Sequence, residues 1–362
     1  MWSLSSSLPF VLRFLLFFSI SESKNLKRPF NNSISAIFVF GDSTVDSGNN
    51  NYVITPFKGN FPPYGWDFVD RTPTGRFSDG RLVTDFMASY VGIKEYVPPY
   101  LDPNLSLDEL MTGVSFASAG TGFDPFTARL SGVIPMQKQL KYFKEYKAKI
   151  KAAIGEEKAK ALISKAAILI SAGTNDFVIN YLGTPFRRSK YNITSYEQFL
   201  LQHVQHFIQG LRAEGAGLIA MVGLPPIGCL PIVITFTSGH SYGRRPCTDG
   251  LSSVALDYNR KLQHVLADLH NSSSPIIYAD IYRPLNDMIR KPSQFGFDTA
   301  NRGCCGSGLV ETTFLCNPAS SVCDNPSKYV FFDSVHPTQA TYNYIFKALR
   351  PSIDRVIKNY NL

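Results

Sequence analysis

Two features are scarce in this sequence: acidic side chains, and cysteine in the first half of the chain. The 362 residues contain 28 Asp and Glu against 36 Lys and Arg, which gives a formal net charge of +8. No nucleic-acid-binding motif accompanies this charge, and no stripe of Arg alternates with aromatic residues. We therefore predict that the basic residues, densest at 138–165, lie on the solvated faces of helices. A pectin-rich wall or an anionic lipid surface is an alternative partner for this charge.

The sequence also lacks internal repeats, low-complexity blocks and, beyond its N-terminus, any apolar run long enough to cross a membrane. With 44% hydrophobic and 18% charged residues, its composition is that of a globular protein. No convincing linker interrupts the chain. Residues 36–358 are therefore predicted to form a single domain.

The apolar run at 8–18 is too short to span a bilayer and is typical of a secretory signal peptide. Small residues at its end suit a cleavage site, so residues 1–21 are predicted as the signal peptide and 22–35 as a polar spacer. Two features depart from the usual pattern, since no Lys or Arg precedes the run and Arg13 interrupts it. The sequence thus predicts a secreted protein.

The six cysteines all lie in the C-terminal half, in sequence typical of loops: Cys229, Cys247, Cys304, Cys305, Cys316 and Cys323. An even number in an exported chain predicts disulfides. Proximity favours a bridge between the first two, and leaves the other four to form two bridges in an order that spacing does not decide. A zinc site is an alternative, although the spacings match no usual ligand pair. Four glycosylation sequons agree with export: Asn31, Asn104, Asn192 and Asn271.

Short apolar strands alternate with amphipathic helices along the chain. Strands are predicted at 37–40, 114–122, 167–171, 218–222 and 276–278. Helices are predicted from a cap at Ser78–Gly80 to Tyr90, at 136–153, 156–164, 195–213 and 250–269, and after Pro337 to 358. Residues 283–330 are predicted to be mostly irregular. This alternation indicates an α/β domain with helices on both faces of a parallel sheet, whose strands all end at one edge.

One of these strands is followed at once by a polar turn that contains a serine. The apolar run ends at Gly41, and Asp42, Ser43 and Thr44 follow. Ligands bind at the carboxyl ends of strands in open α/β sheets, and N–H groups at a helix N-terminus stabilise an oxyanion. Ser43 is therefore a candidate nucleophile, with a helix-capping serine as the alternative.

An Asp and a His near the C-terminus have the spacing of an orienting acid and a base. Asp333 precedes His336 by three residues, and Pro337 is predicted to start a helix. In such a turn the carboxylate can accept the Nδ1–H and leave Nε2 free as a base. A capping Asp beside a surface His is the alternative.

Four blocks in chain order resemble the GDSL esterases/lipases of the SGNH hydrolase superfamily, most closely its large plant branch. These blocks are 38–50, 116–120, 173–176 and 333–337. The resemblance implies a flavodoxin-like three-layer α/β/α sandwich with a central, mostly parallel sheet. It also implies a triad of Ser43, His336 and Asp333, and an oxyanion hole made by the N–H groups of Ser43 and Gly120 and the amide of Asn175.

Three positions depart from the usual residues of that family. Thr44 replaces Leu, Ser115 replaces Asn, and Ala119 replaces Gly. None of them removes an assigned nucleophile or donor, and they bear instead on the shape of the pocket beside Gly120.

The resemblance further implies a secreted enzyme of the apoplast or cell wall that cleaves carboxylic esters through an acyl-enzyme, with no cofactor or metal. Expected substrates are lipid acyl esters, cutin-like polyesters or acetyl groups on wall polysaccharides; nucleic acid is not an expected partner. The aromatic loop at 52–77 is predicted either to wall an acyl pocket or to be plain core. Acyl transfer to an alcohol, and a non-catalytic binding protein, are the alternative functions.

Overall fold

The computed structural model describes residues 34–237, 245–271 and 274–359. The predicted signal peptide, nearly all of the spacer and Asn31 lie outside the described residues. Within them, one large hydrophobic core surrounds a parallel sheet, and a smaller aromatic and cysteine-rich core lies beside it.

Four parallel strands form the central sheet, in the same order as in the chain: β1 (Ile37–Gly41), β2 (Ala167–Ser171), β3 (Leu218–Val222) and β4 (Ile276–Ala279). Each is a short apolar run, as expected for strands covered on both faces. All four were predicted from the sequence. Gly41 pairs with Ser171, so the ends of the first two strands lie side by side.

The predicted strand at 114–122 is only partly formed. Val39 donates its N–H to the carbonyl of Val114 at 3.1 Å and accepts from the N–H of Phe116 at 2.7 Å. This segment therefore runs parallel to β1 on the side away from β2, and completes the flavodoxin-like order. Backbone hydrogen bonds to β1 extend only from Thr112 to Ser118, because the chain turns away at Gly120, where φ is +85°.

The helices are α1 (Val83–Tyr90), α2 (Leu107–Met111), α3 (Pro125–Ser131), α4 (Met136–Ile154), α5 (Glu156–Ser164), α6 (Pro185–Arg188), α7 (Ile193–Ala213), α8 (Pro231–Thr237), α9 (Asp249–Leu269), α10 (Tyr282–Arg290) and α11 (Gln339–Asn359), with a π-helix at Asp176–Leu182. Single 3₁₀ turns occur at Asn49–Tyr52, Val69–Arg71, Ile227–Cys229, Pro292–Phe295, Thr313–Leu315 and Pro326–Lys328.

Helices cover both faces of the sheet, which confirms the predicted three-layer sandwich. On one face α4, α7 and α9 pack side by side, and Phe40 of β1 lies 5.6 Å from the rings of both Phe143 and Phe207. On the other face α11 packs between α1 and α10, and its Leu349 lines an apolar cavity together with Leu169 of β2. The alternation of side chains along each strand supplies both layers.

The predicted cap of α1 is wrong. This helix begins at Val83, and the carboxylate of Asp85 accepts the N–H of Leu82 at 2.9 Å. Asp79 instead accepts the N–H of Gln339 at 2.7 Å, so it caps α11 from far along the chain. The helix predicted to start at Pro337 accordingly begins two residues later, at Gln339.

The C-terminal stretch predicted to be mostly irregular contains more structure than expected. It includes α10 and a second sheet, in which β5 (Thr299–Gly303) pairs in parallel with β6 (Tyr329–Phe331). Only three residues of α10 are buried, Tyr282, Leu285 and Met288, at a spacing of three. The apolar residues do recur at helical spacing, but the helix is only nine residues long and has Pro284 near its start, which made it easy to mistake for a loop.

All six cysteines form disulfides: Cys229–Cys247, Cys304–Cys323 and Cys305–Cys316. The first of these was predicted from proximity. Because every cysteine is paired, none is left as a zinc ligand, and the zinc alternative is wrong. Among the described residues, no helix is both long and apolar enough to cross a membrane.

Candidate active site

The turn after β1 presents Ser43 at the carboxyl edge of the sheet. Gly41 has a φ of +135°, and a Cβ there would lie 1.8 Å from the carbonyl oxygen of Ser171, so only glycine fits. The amide of Gln139 on α4 accepts the N–H of Gly41 and donates to its carbonyl, both at 2.9 Å. These contacts end the strand and direct the next residues out of the sheet. Ser43 is 6% exposed.

The structure brings Ser43 together with His336 and Asp333. The Ser43 hydroxyl lies 2.7 Å from Nε2 of His336, and Nδ1 of His336 lies 2.7 Å from Oδ2 of Asp333. The other carboxylate oxygen of Asp333 accepts the backbone N–H groups of Val335 and His336 at 2.8 and 2.7 Å. A carboxylate on Nδ1 places the ring proton there, which leaves Nε2 to accept the serine hydroxyl.

The carboxylate of Asp333 is fully buried, yet its surroundings favour the charged form. Burial raises the pKa of Asp333, but the charge of His336 and the hydrogen bonds from His336 and Tyr64 outweigh it, and the pKa lies below its ordinary value. Asp333 therefore stays ionised where it can stabilise a protonated imidazole. The ring of Phe77 lies 5.0 Å from that imidazole and shields it from solvent.

Three N–H groups, on the turns after β1 and β2 and on the loop after the segment paired with β1, have no acceptor among the described residues. Within the described part of the chain, the backbone N–H groups of Ser43 and Gly120 have no hydrogen-bond partner. Asn175 uses one hydrogen of its side-chain amide to hold the carbonyl of Thr121 at 2.9 Å, which leaves the second hydrogen free. The loop that carries Gly120 starts beside Ser43, because the N–H of Ser118 donates to the carbonyl of Gly41 at 2.9 Å.

Polar residues just after Ser43 fasten the loop that carries Gly120. Asp46 accepts the N–H of Ala119 at 2.9 Å, and its other oxygen accepts the N–H groups of Gly48 and Asn49. Asn50 donates to the carbonyl of Ala119 at 3.0 Å. Burial, partly offset by these N–H bonds, raises the pKa of Asp46 to about 6. The sequence analysis placed these residues in the first of the four blocks but did not predict their contacts with the loop.

Asp176, the residue after Asn175, holds the segment that follows Gly120 in the way that Asp46 holds the loop before it. Its carboxylate accepts the N–H of Phe123 at 2.7 Å, the N–H of Asp124 at 3.2 Å and the hydroxyl of Thr127 at 2.5 Å. Burial raises the pKa of Asp176 to about 8. The π-helix that begins at Asp176 is thereby tied to the segment after Gly120. No signal in the sequence predicted this role, because it depends on residues 50 positions away.

The aromatic loop at 52–77 is only partly core. Tyr64 and Phe77 are buried with Phe332 in the smaller core, whereas Ile54 is fully exposed. Phe57 lies where a Cβ on Gly120 would contact it at 2.9 Å. Within residues 34–237, 245–271 and 274–359, no group of three or more His, Cys, Asp or Glu side chains could hold a metal ion.

Comparison with known proteins identifies the relatives of this chain. A sequence profile described as GDSL-like lipase/acylhydrolase matches residues 37–349. GDSL esterase/lipase At5g45960 of Arabidopsis thaliana is 55% identical over 332 residues, which cover 91% of this chain and 88% of the relative. GDSL esterase/lipase At1g06990 of the same plant is 43% identical over 324 residues, 89% of this chain and 90% of the relative. Among solved structures, an acetyl esterase aligns over 90% of this chain and 99% of its own with a TM-score of 0.37 and 12% identity.

A hydroxyl, an imidazole and a buried carboxylate in one hydrogen-bonded series, at the carboxyl edge of a parallel sheet, is an arrangement found in serine hydrolases. The matches specify the family. The chain belongs to the GDSL lipase/acylhydrolase family, as the four sequence blocks predicted, and it is a carboxylic ester hydrolase.

Proposed function

We propose that this esterase acts with Ser43 as nucleophile, His336 as general base and Asp333 as the group that orients the imidazole. The observation that carries the proposal is the series of two 2.7 Å hydrogen bonds from Ser43 through His336 to Asp333. As Oγ attacks the ester carbonyl, its proton passes directly to Nε2. The charge that develops on the imidazole is stabilised by the ionised carboxylate.

The tetrahedral intermediate carries its negative charge on the former carbonyl oxygen. The unpaired N–H groups of Ser43 and Gly120 and the second amide hydrogen of Asn175 bind this oxyanion. His336 then returns its proton to the leaving alcohol, and the acyl group stays on Ser43. Water, activated by the same imidazole, releases the acid and regenerates the hydroxyl. An alcohol in place of water would give acyl transfer with the same residues.

We also propose that the protein is secreted to the apoplast or cell wall, with lipid acyl, cutin-like or acetylated polysaccharide esters as substrates. Three disulfides support export, since they persist in oxidising compartments. Asn104, Asn192 and Asn271 are exposed. The cap of α7 uses Oδ1 of Asn192, which accepts from Ser195 at 2.9 Å, whereas a glycan is attached to Nδ2.

Hydrolysis of p-nitrophenyl esters from acetate to palmitate tests the mechanism. Ser43→Ala is expected to abolish turnover and leave the fold intact, because it removes only the hydroxyl that attacks. Ser47→Ala is the matched control, since its buried hydroxyl has no hydrogen-bond partner among the described residues and lies in the same segment. A Ser43→Ala protein as active as wild type would contradict the mechanism. Analysis of the products formed with an excess of an acceptor alcohol distinguishes hydrolysis from acyl transfer.

A further inference from the structure

We propose that Tyr64 is a positioning residue for the Asp333 carboxylate, and that the loop closed by the Cys305–Cys316 disulfide holds it there. This inference rests on the proposed function, because it concerns Asp333 as the group that orients the base. Tyr64 and Asp333 are 269 residues apart in the chain. None of the four sequence blocks contains Tyr64.

Three donors converge on the carboxylate oxygen of Asp333 that faces the imidazole. Tyr64 donates its hydroxyl to Oδ2 at 2.7 Å, Thr312 donates its hydroxyl at 3.0 Å, and His336 donates its Nδ1–H at 2.7 Å. Tyr64 is 1% exposed and Asp333 is fully buried, whereas Thr312 is half-buried. The oxygen that receives the imidazole is therefore held in place by two further hydroxyl groups.

The hydroxyl of Tyr64 is itself fixed in direction. It accepts the backbone N–H of Thr313 at 2.9 Å, so its own proton is left to point at Asp333. The ring packs 5.5 Å from Phe77 and 5.6 Å from Phe332. Burial, with the charge of Asp333, raises the pKa of Tyr64 well above its ordinary value, so the hydroxyl remains a donor.

The disulfide loop supplies both threonines and is bonded to the chain on either side of Asp333. Cys305 donates its N–H to the carbonyl of Phe332 at 2.8 Å, and Glu311 accepts the N–H of Ser334 at 2.8 Å. Thr313 has a φ of +50°, a left-handed conformation that is uncommon for a β-branched residue. In this conformation its N–H reaches the hydroxyl of Tyr64.

These contacts have a chemical consequence for the base. Two hydroxyl donors fix the plane of the carboxylate and disperse its negative charge away from Nδ1. Without the hydroxyl of Tyr64, charge would concentrate on Oδ2 and attract the protonated imidazole more strongly. The base would then hold its proton at a higher pH, and a less firmly held carboxylate would orient it less well.

Tyr64→Phe tests the proposal, because it removes the hydroxyl and keeps the ring. We expect kcat to fall about 10-fold, as for the loss of a hydrogen bond to a charged group, with KM little changed. We also expect the acidic limb of the kcat/KM–pH profile to move to higher pH. Thr312→Val is expected to act in the same direction, and Thr312→Ser to restore wild-type behaviour because it keeps the donor.

Tyr258→Phe is the matched control, because Tyr258 is as buried as Tyr64 but its hydroxyl has no hydrogen-bond partner among the described residues. The other titratable groups that interact electrostatically with the cluster, Asp42 and Tyr342, stay unchanged in every variant. Wild-type kcat and pH profile in both Tyr64→Phe and Thr312→Val would overturn the proposal. So would lower activity with an unmoved acidic limb, which is the result of a purely structural role. If the proposed function itself is wrong, the Ser43→Ala protein keeps its esterase activity. This result can be told apart from the two results that would overturn the role of Tyr64.

Discussion

Buried carboxylates in and around the active site differ in charge preference because their neighbours differ. Asp333 accepts hydrogen bonds from the imidazole of His336, two hydroxyl groups and two backbone N–H groups, and its pKa lies below its ordinary value. Asp46 and Asp176 accept mainly neutral N–H and O–H groups, so burial dominates and raises their pKa values to about 6 and about 8. Asp333, the residue that the proposed mechanism needs charged, is the one whose pKa is lowered, whereas the other two carboxylates hold loops in place.

Asn175→Ala is expected to lower kcat about 10²- to 10³-fold with a smaller change in KM, because it removes a proposed oxyanion donor that would act mainly in the transition state. Steady-state kinetics on a p-nitrophenyl ester measure the effect. Asn175→Asp is the informative companion, since a carboxylate has the same shape but repels the oxyanion, and its activity should be lower still. Full kcat in Asn175→Ala would exclude the amide as a donor.

Among single residues, the sequence predicted the side chains that the structure brings together at Ser43 better than the residues that hold them there. Ser43 follows a strand signal, and Asp333 and His336 lie within one turn, so local spacing is informative. Tyr64 contacts Asp333 across 269 residues, and Asp176 contacts Phe123 across 53. No local pattern encodes such contacts, because they arise only when the strand ends are brought together.

Among the helices, α11 depends on a cap from another part of the chain. The carboxylate of Asp79 accepts the N–H of Gln339, and the side chain of Gln339 in turn accepts the N–H of Arg81 at 2.7 Å. This exchange joins the start of α11 to the segment before α1. It also anchors the stretch of chain that follows His336.

Asp79→Ala is expected to lower the free energy of unfolding by about 1–2 kcal/mol, because a helix N-terminal N–H loses its acceptor. Urea unfolding at constant pH measures the change. Asp79→Asn should lose less, since its amide oxygen can still accept. Asp268→Ala, an exposed substitution on α9, is the control and should have little effect. Equal stability of the Asp79→Ala and Asp268→Ala proteins would show that the cap contributes nothing.

The elements most accurately predicted are those buried on two faces or strongly amphipathic. The strands are unbroken apolar runs, and α4, α7 and α9 each carry a wide apolar stripe. The strand at 114–122 was overestimated because small residues there serve a turn. The cap of α1 was wrongly predicted because Asp79 accepts the N–H of Gln339, which is 260 residues away in the chain. The order of the Cys304 and Cys305 bridges was also undecidable, since neighbouring residues can pair with either remaining cysteine.

For the molecule as a whole, we expect stability to fall as pH rises from 6.5 to 8. Burial raises the pKa of Asp79 to about 7 and of Asp176 to about 8, from 3.8. Between pH 6.5 and 8 the folded protein therefore binds more protons than the unfolded chain, and raising the pH favours unfolding. Burial lowers the pKa of His203, which makes stability rise with pH, but only below about pH 6.5. Burial lowers the pKa of Lys94 to about 8, which has the same effect, but only above about pH 8.

Calorimetric Tm values at pH 6.5 and 8 check this expectation. Asp176→Asn should lower Tm at both pH 6.5 and pH 8, since an amide cannot accept all three donors. Because the amide does not titrate, the difference in Tm between the two pH values should become smaller. A wild-type Tm that rises over this interval would contradict the assignment of these buried carboxylates.

The separation of Ser43 and His336 along the chain has a consequence for the order of biosynthesis. The two residues meet across 293 positions. At about 5–20 residues per second, a ribosome takes roughly 15–60 s to pass from one to the other. Throughout that interval the growing polypeptide carries the proposed nucleophile without the proposed base, and the proposed mechanism cannot operate. On the proposed mechanism, competence for catalysis is acquired only after His336 has been synthesised.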